Sequence, residues 1–232
     1  MLLEVRNVSS GYDKKRVLRD VSLSVSEGEV VSLIGHNGAG KTTTLKTILG
    51  LIPAETGDVR FQGRSIVAQS AVENVKSGLY LIPQERFTFP DLSVRENLML
   101  GGHYLRDASL RERTLAEIHD VFTILKLRAK QRAGTMSGGQ QRMLSIAMAM
   151  MAHPRLVMLD EPTLGLSPVL VEEIAGIIDK MSKRGIGVLV VDQNIKQILK
   201  ISDRVYVMKS GQIVLEDSGK KLLQRGEWWD LY

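Results

Sequence analysis

At 232 residues, 44% hydrophobic and 25% charged, the chain has the length of one large domain, or of a domain with a sizeable insertion, and an ordinary globular composition. No apolar run approaches the roughly 18 residues of a bilayer-spanning helix, and zero cysteines exclude disulfides and thiolate metal sites and fit a reducing compartment. The net charge of +5 comes from short scattered groups (Lys14-Lys15-Arg16, Arg111 with Arg113, Lys183-Arg184) with acids between them, which describes a solvated surface, suits an anionic membrane nearby and speaks against a nucleic-acid partner.

The opening MLLEVRNVSSGY places Glu4 and Arg6 where a secretory leader is apolar, so no signal peptide is expected. LLEVRNV (2–8), VLRDVSLSV (17–25) and EVVSLIG (29–35) read as strands. A helix is predicted over about 41–50, closed by Gly50 and Pro53. Further strands are expected at 79–82, 156–159, 186–191, 204–208 and 211–216; LVMLD and GVLVVD are continuously apolar, as strands of a central parallel sheet are. The stretch 91–152 lacks such runs and reads as helices. Within it SLRERTLAEIHDVFTILKL spaces Leu115, Ile118, Phe122 and Leu125 along one helical face. The pattern is a parallel-sheet α/β domain with a helical insertion.

GHNGAGKTT, residues 35–43, fits G-x-x-x-x-G-K-[ST] between a strand and a helix. Gly35, Gly38 and Gly40 let backbone N–H groups around His36, Asn37 and Ala39 turn inward on phosphates, and the helix that follows points its positive end at the same place. Lys41 is expected to reach the β- and γ-phosphates and the Thr42 hydroxyl to bind Mg²⁺, with Thr43 beside it. RLVMLDEPT, 155–163, is a buried strand ending in two acids: Asp160 suits Mg²⁺, held through water, and Glu161 suits a general base. In TMSGGQQRMLSIAMAMM, Ser137, Gly138, Gly139 and Gln140 open a helix and form a second anion site. Met143, Ile146, Ala147, Met150 and Met151 along that helix are core. Two phosphate devices far apart in one chain imply that the second serves another subunit's nucleotide.

On these motifs, and in their order along the whole chain, the sequence resembles the nucleotide-binding subunits of ABC transporters. The resemblance implies a P-loop NTPase core with a parallel central sheet and an antiparallel β subdomain (1–90 and 154–232), and a helical subdomain over 91–153. It implies two ATPs, with Mg²⁺, sandwiched in a head-to-tail homo- or heterodimer between one subunit's phosphate loop and the other's SGGQ. Tyr12 matches the aromatic that stacks on adenine, and Gln84 in IPQER the glutamine that touches Mg²⁺ and the attacking water. LGLSP, 164–168, falls at the D-loop, with Ser167 where many relatives have Asp. Gln193 in VDQN stands where most relatives carry a histidine on the γ-phosphate; an amide donates a hydrogen bond there without carrying charge.

The compact length, FPDLSVRENLMLGG, VDQN and GQIVLEDSGKKLL resemble the smaller ATPase subunit of branched-chain amino-acid importers. That implies a peripheral subunit on the cytoplasmic face of the inner membrane, with integral membrane permeases and, indirectly, an external binding protein. Gln84, Met148 and the ending GEWWDLY depart from that subunit, and urea or amide uptake and lipopolysaccharide export are alternatives. A soluble ATPase of Fe–S assembly shares the layout, whereas a repair ATPase would need a long coiled coil that is not present in the sequence. Phe87 and Phe89 sit where the permease docks in this family. Trp228, Trp229 and Tyr232 are expected to dock the tail on the domain. His36, His103, His119 and His153 have no metal-ligand spacing, and His36 is expected to offer only its backbone to the phosphate loop.

Overall fold

A computed structural model describes residues 1–225 except Lys14, Arg86 and Asn194, with Arg225 described by its backbone alone; the aromatic tail of Trp228, Trp229 and Tyr232 lies outside the described residues. Two sheets carry the fold. Strands β1 (Leu3–Tyr12), β2 (Lys15–Val25), β4 (Ala54–Phe61) and β5 (Arg64–Ser65) form an antiparallel sheet in the order β2-β1-β4-β5. The second sheet combines β3 (Val30–Ile34), β6 (Leu79–Ile82), β7 (Leu156–Asp160), β8 (Gly187–Val191), β9 (Arg204–Lys209) and β10 (Gln212–Asp217) in the order β10-β9-β3-β8-β7-β6. All its pairs are parallel except the β9–β10 hairpin.

The apolar runs explain the layering. Every residue of β3, β7 and β8 is buried, as strands covered on both faces require. One face meets α1 (Lys41–Leu49) and the antiparallel sheet through Leu33, Leu45, Ile48, Met158 and Val191. The other meets α6 (Gly138–Met150) and α7 (Pro168–Lys183) through Ile146, Ala147, Val157, Val190 and Ile174. The insertion consists of α3 (Val94–Gly101), α4 (Ala108–Val121), α5 (Thr123–Leu127) and α6, whose Leu98, Leu115, Phe122 and Met143 join that second core. The expected stripe of Met143, Ile146, Ala147, Met150 and Met151 is buried throughout. Among the described residues no helix is long and apolar enough to cross a membrane.

The parallel register aligns the ends of four strands. Ile82 pairs with Leu159, Asp160 with Val191, and Leu33 with that same Val191. The loops after β3, β6, β7 and β8 therefore leave from one carboxyl edge, where open α/β sheets bind their ligands.

The structure adds to these expectations. The helical spacing over 109–127 is split between two helices: Phe122 (φ −116, ψ 70) ends α4 by donating its N–H to Ile118 O and begins α5 by accepting from Leu125, so the ring stays in the core while the axis breaks. Flanking Val121 and Thr123, both β-branched, are poor at holding a continuous helix there. β1 runs on to Tyr12 and β2 begins at Lys15, past register shifts that disguise the alternation. β4, β5 and the short α2 (Ala71–Lys76) went unpredicted. AETGDVRF breaks its alternation at Gly57, whose φ of 86 and approach to the Asn7 carbonyl leave no room for a side chain.

Candidate functional site

The phosphate loop is shaped by backbone. Gly40, at φ 112, caps α1 in a left-handed conformation, and a side chain there would strike Leu18. The next residue, Lys41, is only 5% exposed, and its Nζ donates to Gly35 O at 2.7 Å and to His36 O at 3.1 Å. Burial pushes the Lys41 ammonium down from its ordinary value, while the carboxylates of Glu161, Asp160 and Asp192 oppose that shift. The lysine is thus held by the loop's own carbonyls, which phosphate oxygens can replace.

The neighbouring strand ends supply the acids. Thr42 Oγ1, on the first turn of α1, donates to Asp160 Oδ1 at 3.1 Å, which sets a hydroxyl and a carboxylate side by side as hard oxygen donors. Burial raises the Asp160 carboxyl, against the pull of the Thr42 hydrogen bond and of Lys41. Glu161 leaves the strand in a left-handed turn at φ 49. Its two oxygens are taken from opposite sides: Gln84 Nε2 donates to Oε2 at 3.1 Å, and Gln193 Nε2 to Oε1 at 2.7 Å. Both donors are neutral amides, one from the end of β6 and one from the end of β8.

Lys41, Thr42, Gln84, Glu161 and Gln193 line one cavity of about 510 Å³ together with Asn37, Gly38 and Tyr12, which is half exposed at the end of β1; Asp160 adjoins it through Thr42. Ser137 to Gln140 are elsewhere, at the head of α6, and do not line it. There Ser137 Oγ accepts from Gln140 N at 3.4 Å and Gln140 Oε1 accepts from Ser137 N at 3.2 Å, a reciprocal cap that the sequence reading did not include. Gly139 packs its bare α-carbon under Leu170 of α7.

Two connections were missed. Arg142, buried on α6, donates to Pro83 O at 2.8 Å and to Gln84 O, and Ser145 one turn on donates to Phe87 O at 3.1 Å. Helix α6 therefore grips the backbone of the loop that carries Gln84; the only signal in the sequence was an arginine two residues after SGGQ, at the head of an apolar run. The other is Asp192, 2% exposed, which accepts from Thr163 N at 3.0 Å and from Thr163 Oγ1 at 2.8 Å. Read in the sequence, it was only the acid that ends a strand.

Residues 18–164 match the family model described as ABC transporter. The chain belongs to the ABC transporter family. It is 41% identical over 231 residues to the high-affinity branched-chain amino acid transport ATP-binding protein BraG of Pseudomonas aeruginosa, covering 100% of this chain and 99% of that protein. The lipopolysaccharide export system ATP-binding protein LptB of Escherichia coli K12 is 35% identical over 224 residues, 96% of this chain and 92% of LptB. A dimeric ATP-binding cassette in a post-hydrolysis state bound to ADP and Pi superimposes with a TM-score of 0.82 at 25% identity, over 94% of this chain and 98% of that one. This ABC ATPase is accordingly an α/β P-loop protein that binds nucleotide and hydrolyses ATP as a transporter subunit.

Proposed function

We propose that the chain drives uptake of branched-chain or other amino acids, hydrolysing MgATP at Glu161 and passing the resulting motion to membrane permeases. The observation that carries the chemistry is Glu161 held between the Gln84 and Gln193 amides, in the same cavity as Lys41 and Thr42. Water adds to the γ-phosphorus, its proton passes to the Glu161 carboxylate, and the bond from the γ-phosphorus to the β–γ bridging oxygen breaks to release ADP and phosphate. Gln84 and Gln193 orient Glu161 and leave their amide oxygens for the water or the metal. Lys41 exchanges the Gly35 and His36 carbonyls for phosphate oxygens, and Tyr12 stacks on adenine.

Thr42 Oγ1 and Asp160 Oδ1, two hard oxygens 3.1 Å apart, fit Mg²⁺, which takes few protein ligands and completes its shell with water and phosphate. When bound, the ion neutralises charge developing on the β- and γ-phosphates.

The cargo assignment rests on the similarity to BraG along essentially the whole chain. The partner reading, a homo- or heterodimer whose second subunit completes each site with Ser137, Gly138, Gly139 and Gln140, rests on the dimeric cassette and on the exposed head of α6. We place residues 1–90 with 154–232 in the ATPase core and 91–153 in the moving helical subdomain. Phe87 and Tyr104, 61% and 64% exposed, flank a groove of about 450 Å³ that takes the permease at the cytoplasmic face of the inner membrane. Affinity purification of the tagged chain from detergent-solubilised membranes tests this. Two hydrophobic permeases and a second ABC ATPase are expected. Soluble partners alone would overturn the coupling to transport, and membrane proteins of lipopolysaccharide export would move the cargo to the LptB reading.

A further inference from the structure

The ends of β7 and β8 are joined by more than the sheet. Past the last paired residues, Asp160 and Val191, Glu161 N donates to Val191 O at 2.7 Å. Asp192 then accepts both the N–H and the hydroxyl of Thr163, and Gln193 reaches back to Glu161 Oε1. Asp192 is therefore one residue after the carbonyl that anchors the Glu161 backbone and one residue before the amide that aims at its carboxylate.

The turn it braces needs bracing. Glu161 sits at φ 49, a region that side-chain-bearing residues adopt at a cost and keep only where the surroundings fix it. Pro162 restricts Glu161 further from one side, which leaves Thr163 as the first residue that can hold the far end of the turn. A carboxylate that is 2% exposed and takes two hydrogen bonds from a single residue is a rigid holder.

We propose that Asp192 is a positioning residue for hydrolysis: its clamp on Thr163 fixes the left-handed turn at Glu161 and, through the adjoining Gln193, the direction from which Glu161 meets the water. The inference rests on Glu161 being the general base. Asp192 is also one of three carboxylates facing Lys41, so a role through charge alone is the rival, and the two act on different kinetic constants.

The test is steady-state ATP hydrolysis by the full chain, with nucleotide affinity read by a fluorescent ATP analogue. Asp192→Ala is expected to lower kcat by about ten-fold or more, because small misplacements of a catalytic group cost that much, with KM and analogue affinity within about two-fold of the parent. Asp192→Asn can accept from Thr163 N–H and donate to its hydroxyl, and is expected to recover kcat to within about three-fold, since the geometry is kept and only charge is lost. Thr163→Val removes the hydroxyl and keeps the N–H. Its smaller loss is expected to be less than additive with Asp192→Ala, because both sever one link.

Weakened analogue affinity in Asp192→Asn, with kcat following it, would overturn the clamp in favour of charge. So would an unchanged kcat in Asp192→Ala, or strict additivity with Thr163→Val. Glu161→Gln separates the two levels: if it keeps turnover, the base assignment fails and takes the inference with it. If it loses turnover while Asp192→Ala does not, the positioning inference alone fails.

Discussion

The two regions proposed to bind phosphate are built in opposite ways. At the sheet edge the central side chains already have protein partners: Lys41 holds Gly35 O and His36 O, Thr42 holds Asp160, and Glu161 takes both amides. The head of α6 carries a reciprocal cap, Ser137 with Gln140, and an exposed serine. The first region is preorganised, so a ligand replaces existing bonds and orients nothing afresh. The second is an exposed serine at a helix N-terminus, closed only by the reciprocal bonds of its own cap. On the proposed reading, binding and catalysis are separable: binding belongs to one chain, and completion of the site belongs to two.

Substitutions break that comparison at different points. The largest effect is expected from Lys41→Ala, which removes the donor that trades carbonyls for phosphate. Turnover should fall by about 10²–10³-fold, the scale of losing a preorganised donor, together with ATP affinity in equilibrium binding. Ser137→Ala should leave the ATP affinity of the isolated chain unchanged and lower turnover of the assembled dimer by roughly 10–100-fold, the worth of one hydrogen bond to a charged group. Comparing the two measurements shows whether SGGQ acts across chains. Gln193→His sharpens the picture of the sheet edge. Turnover at pH 8 should stay within about ten-fold of the parent, and a new limb should appear near pH 6.5 as the imidazole titrates, where the parent profile is flat.

The smallest expected effect lies away from both regions. Glu29 accepts from Arg204 Nε at 2.6 Å and from Ser26 N at 2.7 Å. Burial raises its carboxyl, but these partners outweigh it and hold it below the ordinary 4.5. A carboxyl lowered in the folded state contributes stability above pH 4.5 that is lost as pH falls through the folded value. Glu29→Gln should therefore cost about 1–3 kcal/mol at pH 7, and its thermal stability should decline less steeply in acid than the parent's, with ATP affinity untouched.

The sheet edge was legible where the chemistry is contiguous. GHNGAGKTT and LVMLDE each carry strand, loop and functional group in one short stretch, and both fold as read. Residues whose meaning depends on a distant partner were not. Nothing local to Asp192 names Thr163, and nothing local to Arg142 names Pro83 and Gln84. Gln193 was placed correctly at the carboxyl end of its strand, yet its bond to Glu161 appears only once β7 and β8 lie side by side. Phe122 shows the limit of periodicity: its spacing with Leu115 and Ile118 is helical, and the helix breaks there all the same, because the ring packs as well from a kink.

The role of Glu161 as general base is tested most directly by the ATPase rate of the Glu161→Gln chain, read beside its affinity for ATP. Turnover is expected to fall by about 10²-fold or more, within the range of a general base, with ATP still bound as tightly as by the parent. Turnover retained within ten-fold, with ATP bound normally, would show that Glu161 is not the base.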